Sequence, residues 1–170
     1  MALVTDAGTP GISDPGFLLV RAARDAGIAV VPVPGPSAVV AALSAAGVPA
    51  DRFVFDGFLP VKPGRRVHRL GALRATGTTV VCYESPHRIV ATLEAVGQVF
   101  GGESEIVMAR ELTKQFEEIV RGTPARLVAH LARGPVRGEF TLIIPRTKTQ
   151  HPEGTGDLAG SDAEEPSRTS

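Results

Sequence analysis

The sequence is short of several features that would place it in large classes of protein. It has one cysteine, Cys82, in 170 residues, which excludes an internal disulfide framework and suits a reducing compartment. No apolar run approaches the roughly 20 residues that span a membrane. The N-terminus also lacks the basic and apolar segments of a secretion signal. We therefore expect a cytoplasmic protein with no membrane segment.

Common cofactor and metal motifs are also absent from the sequence. Neither GxGxxG nor GK[ST] occurs, so a Rossmann dinucleotide site and a P-loop both lack support. Cys82, His68, His87 and His130 do not have the spacing of zinc ligands. We expect no metal site.

Apolar strand-like runs alternate with helical patterns along the chain, which is typical of α/β architecture. Phe53, Phe55 and Phe58 are expected to supply most of the aromatic core. Strands are predicted over 2–5, 28–33, 53–58, 78–83, 105–110, 116–121 and 139–144. Five helices are predicted. The first is capped by Asp14, has Pro15 as its first residue and ends at Gly27, and the second is capped by Ser37 and ends at Gly47. The others span about 65–75, span 88–100, and begin at Thr123-Pro124.

The pattern predicts an uneven division into domains. A ligand-type loop begins at residue 6, and only one short strand precedes it, so we interpret residues 1–50 as the remnant of an N-terminal α/β domain. Residues 49–51 resemble a hinge, and residues 51–147 are expected to form a whole second α/β domain. Residues 148–170 are polar and acidic without periodicity, which predicts disorder.

Four polar loops follow predicted strands, where open α/β sheets place their ligands. Residues 6–16, DAGTPGISDPG, contain three glycines and two prolines; they suit close approach of a ligand or, equally, a tight turn with a helix cap. Ser37 in 34–38 could meet a carboxylate or ribose at a helix start, although plain capping explains it as well. Glu84 in 84–88 could act in chemistry or simply pair with Arg88. The charges of 110–114 fit a site or a solvated loop.

A basic stretch over residues 62–74 contains no acidic residue. Its cations could neutralise phosphates and make binding depend on salt, whereas a solvated helix face is the alternative interpretation. The residues concerned are Lys62, Arg65, Arg66, Arg69 and Arg74, together with His68.

Five ordered motifs resemble the tetrapyrrole methylase family, and within it the branch that methylates small-subunit ribosomal RNA. They are DAGTPGISDPG (6–16), PGPSA (34–38), GFLP (57–60), YESPHR (83–88) and RELTK (110–114). The resemblance covers about residues 2–146 and implies a two-domain α/β fold with the first domain incomplete. It also implies an S-adenosylmethionine-dependent enzyme that methylates the ribose 2′-hydroxyl of a cytidine in 16S ribosomal RNA, and a homodimer. Because relatives carry a further glycine-rich segment before this point, we expect the native protein to be longer, its start having been assigned within the gene.

The resemblance also suggests site residues. It places Gly8, Thr9, Pro10, Ile12, Ser37, Ala38 and Tyr83 at the cofactor, with Thr9 where relatives have an acidic residue. The candidates for catalysis are Glu84, His87, Glu111 and Lys114. The candidates for RNA binding are Lys62, Arg65, Arg66, Arg69 and Arg88.

Two other functions remain open at this point. A methylase of corrinoid precursors has the same fold, but its macrocyclic substrate would leave the 62–74 stretch without a clear role. A non-catalytic remnant could keep the second domain and lose the cofactor cleft. Cofactor titration and methyl transfer to small-subunit RNA separate the three functions.

Overall fold

The structure is a computed structural model, and it describes residues 1–146. Five strands form one mixed sheet in the order β1-β2-β5-β3-β4, in which β1 and β2 are parallel and the other pairs are antiparallel. The strands are β1 Phe53–Phe58, β2 Thr79–Glu84, β3 Ile106–Arg110, β4 Glu118–Gly122 and β5 Phe140–Ile144. The helices are α1 Phe17–Asp25, α2 Ala38–Ala46, α3 Pro63–Ala75, α4 Ile89–Phe100 and α5 Pro124–Leu131.

The sheet is buried on both faces because successive side chains of a strand point to opposite sides. On β2, Val80 and Cys82 face a core that includes residues of α3, α4 and α5, while Val81 faces a second core built with α2. The central strands are accordingly continuous apolar runs, as buried strands should be. Burial raises the pKa of the Cys82 thiol, so the thiol stays protonated.

From α2 onwards, the predicted helices and strands are confirmed within one or two residues. β1 has the predicted bounds, and α2 begins after Ser37 and ends at Gly47, which adopts a left-handed φ of 63°. The α5 helix is capped by the Thr123 hydroxyl, which accepts a hydrogen bond from the Arg126 backbone N–H. The α/β fold class is therefore confirmed.

Three predictions before residue 38 are wrong. Residues 2–5 and 28–33 form no strand, and most of them are exposed. A strand needs a neighbour to pair with its backbone groups, and residues 1–146 provide none at these positions. The first helix starts at Phe17 with Gly16 as its N-cap rather than at Asp14, because Gly16 turns the chain at a φ of 142° that other residues rarely adopt.

The prediction for the aromatic core is also wrong. Phe53 and Phe58 are exposed, and Phe55 is only partly buried. Phe140 on β5, which is 2% exposed, is the largest fully buried side chain.

The predicted boundary near residue 50 runs between two parts that pack together. Val39, Ala42 and Leu43 of α2 bury their side chains against Val81 and Ile143 of the sheet. This contact holds the loop before α2 over the edge of the sheet. The division into domains stays a prediction, and the tail predicted over 148–170 lies outside the described residues.

Candidate functional site

A cavity of about 410 Å³ lies where residues 6–16 and the start of α2 meet the ends of β1 and β2 and the start of β5. Small-molecule sites usually measure about 300–1,000 Å³. The cavity is lined by Thr5, Asp6, Ala7, Gly8, Thr9, Ile12, Ser13, Asp14, Ser37, Ala38, Phe58, Tyr83, Glu84, Ser85, Pro86, Glu139, Phe140 and Thr141.

The first loop, residues 6–16, is held over the sheet by a hydrogen bond to the segment before α2 and by close approach to Gly57. The Thr9 hydroxyl donates a hydrogen bond of 2.9 Å to the carbonyl of Pro36, which joins this loop to the segment that opens α2. Gly57 lies in a break in the register of β1, and a Cβ there would stand 3.0 Å from the Ser13 hydroxyl oxygen. A larger residue at position 57 would therefore push the first loop away from the sheet.

The loop backbone lies open beside the cavity. Gly8 has a φ of 70°, and the nearest atom to a Cβ built there is the Pro36 carbonyl oxygen at 4.0 Å. Ser13 also has a positive φ, of 55°, which is uncommon for a residue with a side chain. The turn thus places the loop backbone close to the cavity, together with the side chains of other loop residues.

Aromatic rings form one wall of the cavity. Tyr83 packs edge-on against Phe55 and Phe58, with ring centroids 4.8 and 5.8 Å apart. Burial is the main cause that raises the pKa of Tyr83; a hydrogen bond with the Val39 backbone opposes it and the charge of Glu139 adds to it. The phenol is therefore neutral, and it offers a flat apolar face with a polar end.

Four carboxylates line the cavity, and among the described lining residues there is no lysine or arginine. Asp6 and Asp14 come from the first loop, Glu84 ends β2, and Glu139 precedes β5. Glu84 is paired with Arg88 and Glu139 with Lys114, so the acidic character of the wall comes mainly from Asp6 and Asp14. An acidic wall favours a cationic ligand.

Glu84 is held in a buried hydrogen-bond network. Its side chain is 0% exposed, and Oε1 accepts hydrogen bonds from the Ser85 N–H and the Arg88 Nε, both at 2.8 Å. Oε2 accepts one from the Thr92 hydroxyl at 2.7 Å, and that hydroxyl in turn accepts one from Arg66 at 3.1 Å. The pairing of Glu84 with Arg88 that the sequence left open is present, and it leaves this carboxylate poorly placed to exchange protons with a ligand.

Glu111 and Lys114 do not line the cavity, but they hold a residue that does. Lys114 Nζ lies 2.9 Å from a carboxylate oxygen of Glu111 and 2.9 Å from one of Glu139. The hydrogen bond from Lys114, then one from the Glu139 backbone, holds the pKa of Glu111 below its usual value. Glu139 and Glu111 raise the pKa of Lys114 in turn. Glu111 and Lys114 are thus both charged near neutral pH.

The structure brings together six of the seven residues suggested for the cofactor. Gly8, Thr9, Ile12, Ser37, Ala38 and Tyr83 line the cavity, and Pro10 does not. His87 is exposed and lies outside the lining.

The basic stretch is divided between the surface and the interior. Arg66 is 5% exposed, and its guanidinium donates to the carbonyls of Pro60 and Val61 as well as to Thr92. Burial therefore removes Arg66 from any surface that phosphate could reach. Arg69 pairs with Asp56, a carboxylate outside the 62–74 window, so the stretch is partly neutralised. Lys62 and Arg65 are exposed.

Sequence reasoning missed Asp6, Asp14, Phe58 and Glu139 as lining residues. Asp6 and Asp14 belong to the 6–16 loop, which the sequence analysis identified, and Phe58 is the second residue of the GFLP motif. Glu139 had no local signal, because its place depends on the pairing of β5 with both β2 and β3.

The chain matches the family model for tetrapyrrole (corrin/porphyrin) methylases over residues 1–128. The chain belongs to the tetrapyrrole methylase family. Proteins named ribosomal RNA small subunit methyltransferase I are similar to it: one from Xylella fastidiosa is 53% identical over 85% of this chain and 54% of its own length. One from Pseudomonas aeruginosa is 50% identical over 96% of this chain and 57% of its own. This chain thus spans about half the length of the curated relatives it matches.

Two solved structures of proteins named as methyltransferases share the fold. The methyltransferase CobJ superposes with a TM-score of 0.61 at 21% identity, over 82% of this chain and 62% of its own. The cobalamin biosynthetic enzyme cobalt precorrin-4 methyltransferase, CbiF, gives 0.57 at 18% identity, over 76% and 57% of the two chains. Within residues 1–146, no helix is long and apolar enough to cross a membrane, and no cluster of side chains could hold a metal ion.

Proposed function

We propose that this chain takes part in methyl transfer from S-adenosylmethionine to the ribose 2′-hydroxyl of a cytidine in 16S ribosomal RNA. The observation that carries the proposal is the cavity itself, in which the first loop, the start of α2 and Tyr83 converge. About 50% identity to proteins named for small-subunit RNA methylation supports the choice of substrate.

The lining residues fit the chemical groups of this cofactor. Its ammonium and sulfonium are cations, which the carboxylates of Asp6 and Asp14 would favour. Its carboxylate suits the N-terminus of α2, where the Ser37 side chain makes no capping bond to the backbone. Its adenine is flat, as are Phe58 and Tyr83. When bound, the cofactor supplies a methyl group on a positively charged sulfur that departs as a neutral thioether.

The chain's own contribution is mainly to hold the two reactants in line. In-line displacement depends strongly on position, and well-oriented groups can remove several kcal/mol of the barrier, about 7 in favourable cases. Thr9 ties the two loops together, and the aromatic wall excludes water from one side. A carboxylate at the acceptor side would take the proton of the attacking hydroxyl.

The RNA would approach over the exposed cations next to the cavity. Phe58 lines the cavity and is 54% exposed, and Lys62 and Arg65 follow it at the start of α3. The phosphate backbone would meet these two cations while a nucleotide enters the cavity. Exposed aromatic side chains commonly stack on unpaired RNA bases, which gives Phe58 a role at the entrance.

The test is methyl transfer by the 170-residue chain to purified small ribosomal subunits, with the labelled nucleotide then identified after digestion. Label on a cytidine 2′-hydroxyl would support the proposal. Label on a corrinoid precursor but not on RNA would replace it with the alternative methylase. Calorimetry without binding of S-adenosylmethionine would favour the non-catalytic interpretation. The homodimer stays a prediction that light scattering can test.

Reversing the charges of Lys62 and Arg65 to glutamate should weaken binding to the small ribosomal subunit and flatten its salt dependence. Each lost phosphate contact should reduce the slope of log affinity against log salt by about 0.7 to 0.9. The affinity for S-adenosylmethionine should stay the same, because neither residue lines the cavity. Arg126 and Arg133 on and after α5, also exposed, provide the control, since reversing them changes the net charge equally. An equal loss in both double variants would argue for a general charge effect only.

A further inference from the structure

The Glu139 carboxylate at the cavity wall has one oxygen in a hydrogen bond and one oxygen without a hydrogen bond within residues 1–146. The Glu139 side chain is 74% exposed and lines the cavity. Its Oε2 accepts a hydrogen bond from Lys114, while within residues 1–146 no hydrogen bond reaches Oε1. We propose that Glu139 is the catalytic residue that accepts the proton of the attacking hydroxyl, and that Lys114 and Glu111 position it. This inference rests on the proposed function and deepens it.

The other carboxylates of the cavity are less suited to this role. Both oxygens of Glu84 are occupied by Ser85, Arg88 and Thr92 in the interior. Asp6 and Asp14 belong to the first loop, the side assigned above to the cofactor's cations. Glu139 lies on a different element, immediately before β5.

Strand pairing fixes where Glu139 stands. Phe140 pairs with Glu84 of β2 on one side and with Arg110 of β3 on the other. Glu139 therefore lies one residue beyond both ladders, level with the ends of the two strands. On the β3 side the pairing continues, because the Glu111 N–H donates to the Glu139 carbonyl at 3.0 Å.

The Glu111 side chain locks this arrangement. Its Oε1 accepts the Glu139 backbone N–H at 3.0 Å and the Lys114 ammonium at 2.9 Å. One carboxylate thus orients both the backbone of Glu139 and the cation that holds its side chain. The Lys114 ammonium therefore links the turn after β3 to the Glu139 side chain at the cavity.

The turn after β3 adopts a costly conformation to make these contacts. Glu111 and Thr113 have φ values of 50° and 66°, in the left-handed region that residues with side chains rarely adopt. Gly138 has a φ of 88°, and a Cβ there would lie 2.5 Å from Cγ of Glu111. Strain of this kind persists where the surrounding structure enforces it and is common at functional sites. Here the strained turn places the Lys114 ammonium within hydrogen-bond distance of Glu139.

The proposed transfer step involves the ribose 2′-hydroxyl, the methyl group of S-adenosylmethionine and the Glu139 carboxylate. A lone pair of the ribose 2′-oxygen forms the new O–CH₃ bond as the bond between sulfur and the methyl carbon breaks. The sulfur keeps the electron pair and leaves as a neutral thioether. The hydroxyl proton passes to Oε1 of Glu139, which becomes neutral and later releases the proton to water.

The test compares Glu139→Gln with the unchanged chain in transfer to small ribosomal subunits. We expect kcat to fall at least about 100-fold, the lower range for loss of a general base, with the KM for RNA and the Kd for S-adenosylmethionine changed less than about twofold. Glu139→Ala should recover activity when formate is added, which a structural role would not produce. Lys114→Met should lower kcat, and Lys114→Arg should restore much of it.

Glu105→Gln is the matched control, because Glu105 is an exposed, ion-paired glutamate outside the cavity lining; its activity should match that of the unchanged chain. If the unchanged chain transfers methyl groups and Glu139→Gln keeps full kcat, this inference is wrong and the proposed function stands. If the unchanged chain transfers none, the proposed function fails and the inference fails with it.

Discussion

Replacing Glu84 with alanine should lower the melting temperature by about 6 to 12 °C. This range corresponds to a loss of about 3 kcal/mol in the free energy of unfolding, because each kcal/mol shifts the melting temperature of a chain of this size by about 2–4 °C. Removing one partner of a buried pair typically costs about 3–5 kcal/mol. We take the lower end because Arg88, at the rim of the network, can still turn toward water. Thr92 cannot, since it is buried and would lose its acceptor. Thermal unfolding followed by circular dichroism measures the change.

Glu105→Ala is the control for this experiment. Glu105 also pairs with an arginine, Arg121, but both side chains are mostly exposed. Exposed pairs contribute little to stability, so its melting temperature should hardly change. Equal melting temperatures for Glu84→Ala and the unchanged chain would mean that the network does not stabilise the fold.

The sequence predicted the second unit well because there the local and tertiary requirements agree. Val80, Val81 and Cys82 form a short apolar run, which suits a strand buried on both faces, and β2 is that strand. In the first unit, Ser37 and Gly47 also flank α2 as predicted, although the Ser37 side chain makes no capping bond. In such segments the residue pattern alone determines the element.

The first unit could not be predicted in the same way. Residues 28–33 have the composition of a strand, but composition cannot provide the neighbouring backbone that a strand requires. The sequence also could not tell that Asp14 faces the cavity rather than capping α1. Both outcomes depend on what packs beside the segment.

The site was predictable to the extent that its residues share a motif. The first loop and Ser37 reach the cavity as the resemblance implied. Glu111 and Lys114, predicted as candidates for catalysis, lie outside the cavity lining, and Lys114 contacts Glu139, which is 25 residues further along the chain. When strand pairing brings a residue to the cavity, the neighbouring sequence contains no motif that predicts it.

Charge is distributed in a way that separates the two proposed ligands. The cavity wall is acidic, whereas Lys62 and Arg65 outside it are basic. Phosphate groups are therefore repelled from the cavity and attracted to its surroundings, and a sulfonium is attracted inward. This separation lets a polyanion and a cation bind side by side without competing for the same groups.

Replacing Gly8 with valine should weaken S-adenosylmethionine binding at least about 100-fold, or about 2.8 kcal/mol. Gly8 lines the cavity with its backbone exposed at a φ of 70°. A β-branched side chain would strain that conformation and displace the loop that brings backbone groups to the cofactor. Gly27 provides a close control, because it has the same φ of 70° with open space around it and lies outside the cavity lining. Gly27→Val should carry a similar backbone strain and keep its affinity in calorimetry. Equal losses in the two variants would attribute the effect to folding, and unchanged affinity in Gly8→Val would remove the first loop from the cofactor site.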